Sequence, residues 1–121
     1  MLADAVLVVE DEAILAMLIE EALIDAGFES VVAGSAQDAI DILRTSDHAP
    51  LALITDVRLP SGSGWHVGEA ARARFPHIPV IYTSGDSGLE WRQRGVSASV
   101  FLQKPIAGRA IVEKIQELAA A

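Results

Sequence analysis

Glu10-Asp11-Glu12, Asp56, Thr83-Ser84 and Lys104 are the residues whose types could do chemistry together. Each group directly follows a short, largely apolar run. If those runs are strands of one sheet, carboxylates, hydroxyls and an ammonium arrive at a single edge. Two carboxylates about 5 Å apart repel by roughly 3 kcal/mol at an effective dielectric near 20, so a cluster of Glu10, Asp11 and Asp56 calls for a cation or a proton. Oxygen-only ligation suits Mg²⁺, which keeps several waters and commonly shares its site with a phosphate. A metal-bound carboxylate beside a lysine and a hydroxyl fits phosphoryl transfer onto the carboxylate. The cations neutralise the equatorial oxygens while Asp56 attacks in line. Such catalysis is positioning plus charge stabilisation, so few residues are needed.

Taken singly, each residue has an ordinary explanation. Glu10-Asp11-Glu12 would favour a helix N-terminus through the macrodipole, Asp56 would be a turn residue, and Lys104 a snorkelling surface lysine. The conjunction is harder to dismiss. Lys104 and Lys114 are the chain's two lysines, and one of them stands at the required strand end. Packing does not demand polar residues at every strand end along an edge.

The elements that must position these groups are legible as alternating apolar runs and helical periodicity. Ala5 to Val9 is apolar throughout, as in a strand covered on both faces. A helix is expected over Glu12–Ala26, with Ile14, Leu15, Leu18, Ile19, Ala22 and Leu23 inward and Gly27 closing it. Ser30 to Ala33 is a second strand. Ser35 with Asp38 reads as a short-armed capping box, opening a helix with Ile40 and Leu43 inside. Leu51 to Thr55 is a third strand ending at Asp56. Pro60 to Gly64 is a loop in which Ser63 caps a helix running to about Phe75. Pro79 to Thr83 is a fourth strand, Ser84 to Ser87 turn the chain, and a short helix spans about Leu89 to Arg94. Ser99 to Leu102 is a fifth strand. Pro105 is expected in the first turn of a last helix, with Ile111, Val112, Ile115 and Leu118 inward. This alternation predicts a parallel sheet with helices on both faces. Right-handed crossovers place the strand C-termini on one edge, where open sheets of this kind bind ligands at the reversal of strand order.

The 121 residues suit one domain over positions 1–121. The absence of cysteine excludes a disulfide scaffold and a thiolate zinc site, and fits a reducing compartment. Ala13 to Ile19 is the longest apolar run, far short of the ~18 residues of a membrane span, and no signal peptide is visible. A cytoplasmic location without membrane contact is expected. The net charge of −8 argues against DNA binding by phosphate neutralisation. Residues 1–57 carry 12 acids and only Arg44, whereas residues 58–121 carry 5 acids and 8 bases. An acidic site built by the first half would be answered by cations from the second.

Val-Glu-Asp-Glu at 9–12, Thr-Asp-Val-Arg-Leu-Pro at 55–60 and Leu-Gln-Lys-Pro at 102–105 together resemble bacterial two-component response-regulator receiver domains of the chemotaxis type. With Ser84 after the fourth strand, the likeness covers residues 3 to 120. It implies a flavodoxin-like, doubly wound (βα)5 three-layer α/β sandwich with strand order 2-1-3-4-5. It further implies that Asp56 accepts a phosphoryl group from a sensor histidine kinase or a histidine phosphotransfer protein. Asp11 and Asp56 would bind Mg²⁺ directly, Glu10 mainly through water, and the backbone carbonyl of Arg58 would complete the protein ligands. Ser84 would hydrogen-bond the phosphoryl group and Lys104 would pair with it. Phe101 falls at the family's rotating aromatic position. Arg58 and Asp86 fall at rim positions that tune hydrolysis, and are expected to pair across the site.

Three departures stand out. Ser84 replaces a commoner threonine but keeps the hydroxyl. Phe101 lacks the hydroxyl of tyrosine, so its switch works through packing. Ser61-Gly62-Ser63 lacks an apolar residue common in that loop. Gly85-Asp86-Ser87-Gly88 resembles a trypsin-like nucleophile motif, but the βα alternation opposes that fold. Ser61 to Gly64 has no following Lys-Ser/Thr and is no nucleotide cradle. His48, His66 and His77 lack ligand spacing, and Trp65 and Trp91 read as cover for the core.

The expected function is a stand-alone signalling switch without separate substrate turnover. Its output face is the fourth helix, fifth strand and fifth helix, with Arg92, Arg94, Arg109 and Lys114 facing a protein effector. It would act as a monomer or a phosphorylation-dependent dimer. The alternatives are a receiver fragment of a larger hybrid kinase or regulator, a phosphorylation-independent interaction module, and a Mg²⁺-dependent phosphohydrolase. The last would need a general base that no histidine supplies at a strand end.

Overall fold

The computed structural model describes residues 5–86 and 88–120. Strands β1 (Ala5–Val9), β2 (Glu29–Ala33), β3 (Ala52–Asp56), β4 (Val80–Ser84) and β5 (Val100–Gln103) alternate with helices α1 (Ala13–Asp25), α2 (Ala36–Thr45), α3 (Gly64–Arg74), α4 (Gly88–Arg94) and α5 (Gly108–Ala120). The strands form one parallel sheet of order 2-1-3-4-5. β1, β3 and β4 are buried along their whole length, as their apolar composition requires.

Alternating side chains feed two cores. Leu7, Val9, Leu53, Val80 and Tyr82 pack with Leu43, Trp65 and Val67 on one face, and Val6, Val8, Ile54 and Ile81 pack with Ile19, Leu23, Ile111 and Ile115 on the other. Each fully buried aliphatic contributes about 1.5–3 kcal/mol relative to exposure, and this holds the strand ends in place.

Local signals set most helix limits. Ser35 Oγ accepts the Asp38 N–H at 3.1 Å, and Ser63 Oγ accepts the His66 N–H at 3.5 Å. At the end of α1, Gly27 takes φ +90°, its N–H donates to Ile24 O and the Phe28 N–H donates to Leu23 O. That is the paired closure for which a left-handed glycine is favoured.

The structure corrects several expectations. Ile14 and Leu18 are 75% and 55% exposed, not inward. α1 is apolar nearly all round, and only the stripe through Ala16, Ile19 and Leu23 is fully buried. Pro105 is not in a helix's first turn: the Lys104–Pro105 bond is cis, and α5 begins three residues later at Gly108. There a Cβ would lie 2.5 Å from Ala22 Cβ, so glycine lets α5 approach α1. Ser84 ends β4 and does not begin the turn, and Ser87 lies outside the described residues. The loop after Asp56 contains a two-residue antiparallel hairpin, Arg58–Leu59 with Gly62–Ser63.

Candidate functional site

β1 and β3 are neighbours although β2 intervenes in sequence, so the strand order reverses between them and their C-termini open a crevice. The ladder continues one residue past β1, where the Glu10 N–H donates to Ala33 O at 3.1 Å, and past β3, where the Val57 N–H donates to Thr83 O at 3.0 Å. On the far side the Lys104 N–H donates to Ser84 O at 2.9 Å. Backbone pairing therefore delivers Glu10, Asp56, Ser84 and Lys104 to one edge before any side chain acts.

The carboxylates of Glu10, Asp11 and Asp56 each place an oxygen within 4.8 Å of the others. Glu10 and Asp56 are buried, at 3% and 7% exposure, and Asp11 is exposed. The Lys104 ammonium donates to Asp56 Oδ2 at 3.0 Å and to Glu10 Oε1 at 3.1 Å. Glu10 Oε2 also accepts the Glu12 N–H at 3.2 Å, and Asp56 Oδ1 accepts the Arg58 N–H at 3.4 Å.

Burial pushes the Glu10 carboxyl above its usual range and the neighbouring Asp56 adds to the rise; the Glu12 N–H and Lys104 offset part of it. Burial alone would lower the Lys104 ammonium, but its bonds to Asp56 and Glu10 outweigh that and hold it above its ordinary value. One ammonium against three carboxylates leaves excess negative charge on hard oxygen donors. This donor set fits a divalent cation of the Mg²⁺ class.

Gly64 holds the phosphoacceptor candidate from behind. Its N–H donates to Val57 O at 2.7 Å, and a Cβ there would lie 2.2 Å from the Asp56 carbonyl oxygen. No side chain fits that approach.

At the rim, the Arg58 guanidinium leaves the crevice and reaches Asp86 Oδ1 through Nε at 3.3 Å and Nη2 at 3.2 Å. Asp86 Oδ1 also accepts from Ser84 Oγ at 3.2 Å, and the Asp86 N–H donates back to Ser84 Oγ at 3.3 Å. Arg58 Nη2 lies 3.8 Å from Glu90 on α4. Gln103 anchors the turn by donating to Gly85 O at 3.2 Å.

The structure thus brings together Glu10, Asp11, Asp56 and Lys104, and lines a shallow cleft beside them with Arg58, Ser84 and Asp86. Phe101 stands apart, half-buried against Trp91 of α4. Gly64, Glu90 and Gln103 were not singled out from sequence as site residues. No local spacing pointed to Glu90, because its partner Arg58 lies 32 residues earlier, on the loop after β3. His48, His66 and His77 are exposed. Trp65 is core, at 1% exposure.

Residues 6–116 match the family model of the response regulator receiver domain. Response regulator protein FleR of Pseudomonas aeruginosa is 31% identical over 118 residues, which cover 94% of this chain and 24% of FleR. The chain spans between 21% and 48% of the length of the first curated relatives it matches. The response regulator receiver protein from Sinorhizobium medicae WSM419 is 35% identical, with a TM-score of 0.93 and coverage of 98% and 96% of the two chains. The receiver domain of sensor histidine kinase PA1611 from P. aeruginosa, solved with a magnesium ion coordinated in its active site cleft, shares the fold at 21% identity, a TM-score of 0.84 and coverage of 98% and 99%.

Proposed function

This chain belongs to the response regulator receiver domain family of two-component systems, and we propose that Asp56 is its phosphoacceptor. The observation that carries this reading is Lys104 Nζ, 3.0 Å from Asp56 Oδ2 at the reversal point of the sheet. We read residues 1–121 as one receiver unit.

An Asp56 oxygen attacks the phosphorus of a phosphohistidine on a sensor kinase or phosphotransfer protein. The new P–O bond forms as the P–N bond breaks, and the imidazole leaves and takes a proton. Glu10, Asp11, Asp56 and the Arg58 carbonyl would hold Mg²⁺, which when bound neutralises charge on the transferred group. Lys104 supplies a fixed positive charge at the Asp56 oxygen and pairs with the phosphoryl oxygens as they arrive. Ser84 Oγ, donating to Asp86 in this state, turns to a phosphoryl oxygen. Arg58 and Asp86 close the rim against attacking water. Phe101 repacks, and the face of α4, β5 and α5 changes toward a protein effector.

No turnover of a separate substrate belongs to this reading, and neither does DNA binding by residues 1–121. Among the described residues no helix is long and apolar enough to cross a membrane, which accords with a cytoplasmic switch. Intact mass after incubation with Mg²⁺ and a small phosphodonor tests the proposal. One added phosphoryl group is expected, and none when a chelator is present during the incubation. None on the wild type refutes it, and steady turnover of an unrelated phosphoester would favour a phosphohydrolase.

A further inference from the structure

Phe101 has no polar side-chain atom, so packing alone sets where its ring lies. It pairs in register with Tyr82 and packs with Trp91 and Val96 against the core on the α2 and α3 face of the sheet. The Trp91 and Phe101 rings stack with centroids 6.0 Å apart and planes at 29°. A Cβ added at Gly88 would meet the Phe101 ring at 3.6 Å. The start of α4 and its tryptophan therefore lie together over Phe101.

The indole is itself pinned. Trp91 Nε1–H donates to Ser99 Oγ at 3.0 Å, Ser99 Oγ donates to Val96 O at 2.6 Å, and the Val96 N–H donates to Tyr82 Oη at 3.1 Å. Ser99 uses its one hydroxyl hydrogen and one lone pair, so the chain of bonds is chemically consistent. Gly95 completes the fit, because a Cβ there would lie 2.4 Å from Trp91 Cδ1. The path runs from Tyr82, buried two residues before Ser84, to an indole lying on Phe101. α4 has no fully buried side chain of its own. A second tie of α4, Arg58 to Glu90, is an exposed pair at 3.8 Å, of a kind that contributes little.

We propose that Trp91 is the positioning residue of the switch: it holds the Phe101 ring beneath α4 in the unphosphorylated protein and must shift when Asp56 is loaded. Trp91 acts through Phe101 and does not touch the phosphoryl group. The inference rests on the reading of Asp56 as phosphoacceptor. A contact made in one state only biases the equilibrium by its own free energy. Losing an aromatic stack of this kind should raise the rate of loading about two- to tenfold.

Incorporating 5-fluorotryptophan gives one resonance for each of the two tryptophans, assigned with Trp91→Phe. The protein is then loaded with Mg²⁺ and a small phosphodonor while intact mass is followed in parallel. The Trp91 resonance should move in proportion to the phosphorylated fraction. Trp91→Ala should load about two- to tenfold faster, Trp91→Phe should recover most of the wild-type rate, and Ser99→Ala should fall between. Ser99→Ala keeps both rings and removes the indole's anchor together with the Ser99–Val96 bond, so it decides the matter if Trp91→Ala fails to fold. A loaded protein with an unmoved Trp91 resonance overturns the proposal, as do wild-type loading rates in both Trp91→Ala and Ser99→Ala; Trp91 is then only cover for the core. A protein that gains no mass overturns the Asp56 reading, and this inference with it.

Discussion

Lys104 and Asp56, 48 residues apart in the chain, meet at 3.0 Å between Nζ and Oδ2. Two backbone facts bring them there. β3 ends at Asp56, and the Lys104 N–H bonds to the carbonyl of Ser84 across the β4–β5 ladder. The same ammonium bonds Glu10, so one cation from the basic half of the sequence faces three carboxylates from the acidic half. The excess negative charge is a standing cost that a divalent cation removes.

Asp11→Asn takes one charge from this cluster without touching the core, because Asp11 is exposed. In metal-free buffer its melting temperature should rise by roughly 2–5 °C, and the stabilisation that Mg²⁺ gives the wild type by mass action should be lost. Thermal melts with and without Mg²⁺ check both. Unchanged Mg²⁺ stabilisation would remove Asp11 from the ligand set.

Arg58→Ala opens the rim. The Arg58–Asp86 pair is largely exposed, so stability should change by less than about 0.5 kcal/mol. The phosphoryl group should leave faster by up to about fivefold, the upper worth of an exposed pair. Decay of the phosphorylated form, followed by intact mass, gives the answer. Decay no faster than wild type means that Arg58 does not restrict water.

Gly64→Ala drives a methyl toward the Asp56 carbonyl oxygen, where only 2.2 Å is available. Strand or helix must yield, costing about 1–3 kcal/mol in denaturant unfolding. Displacing Asp56 should also slow phosphoryl uptake by about tenfold or more. Wild-type stability would show that the approach can relax at no cost.

Tyr82 is the chain's one tyrosine and is fully buried. Burial pushes its phenol above the ordinary value of 10.0, outweighing the Val96 N–H and Arg72, which favour the phenolate. The folded protein therefore holds this proton more tightly than the unfolded chain. Its contribution to stability is whole below pH 10 and is lost as pH climbs through the raised value. Near-ultraviolet absorbance should show phenolate appearing at higher pH in the folded protein than in the chain unfolded by denaturant. Reversible titration at the ordinary value with the fold intact would contradict this.

Much of this site was legible before any coordinates, because a continuously buried strand has few places to end. Val9 and Thr55 close apolar runs, so Glu10 and Asp56 had to lie at a sheet edge, and parallel connectivity makes that edge common to all strands. What escaped was whatever depends on contact between elements. α1 is apolar on nearly every side, so periodicity could not show that Ile14 and Leu18 face outward. α5 starts at Gly108, where glycine permits close approach to Ala22, and not at Pro105. Gly64 read as a loop glycine because the carbonyl that excludes a side chain there belongs to Asp56. The grip of Trp91 on Phe101 runs through Ser99, Val96 and Tyr82, and no local spacing announces it.

Placement of the phosphoryl group on Asp56 has a direct chemical test. Loading with Mg²⁺ and a small phosphodonor, followed by borohydride reduction, converts an aspartyl phosphate to homoserine, which peptide mass mapping locates. Homoserine is expected at position 56 alone, and none in Asp56→Asn or when Mg²⁺ is chelated. Homoserine at another aspartate, or a phosphoryl group that persists on Asp56→Asn, would contradict it.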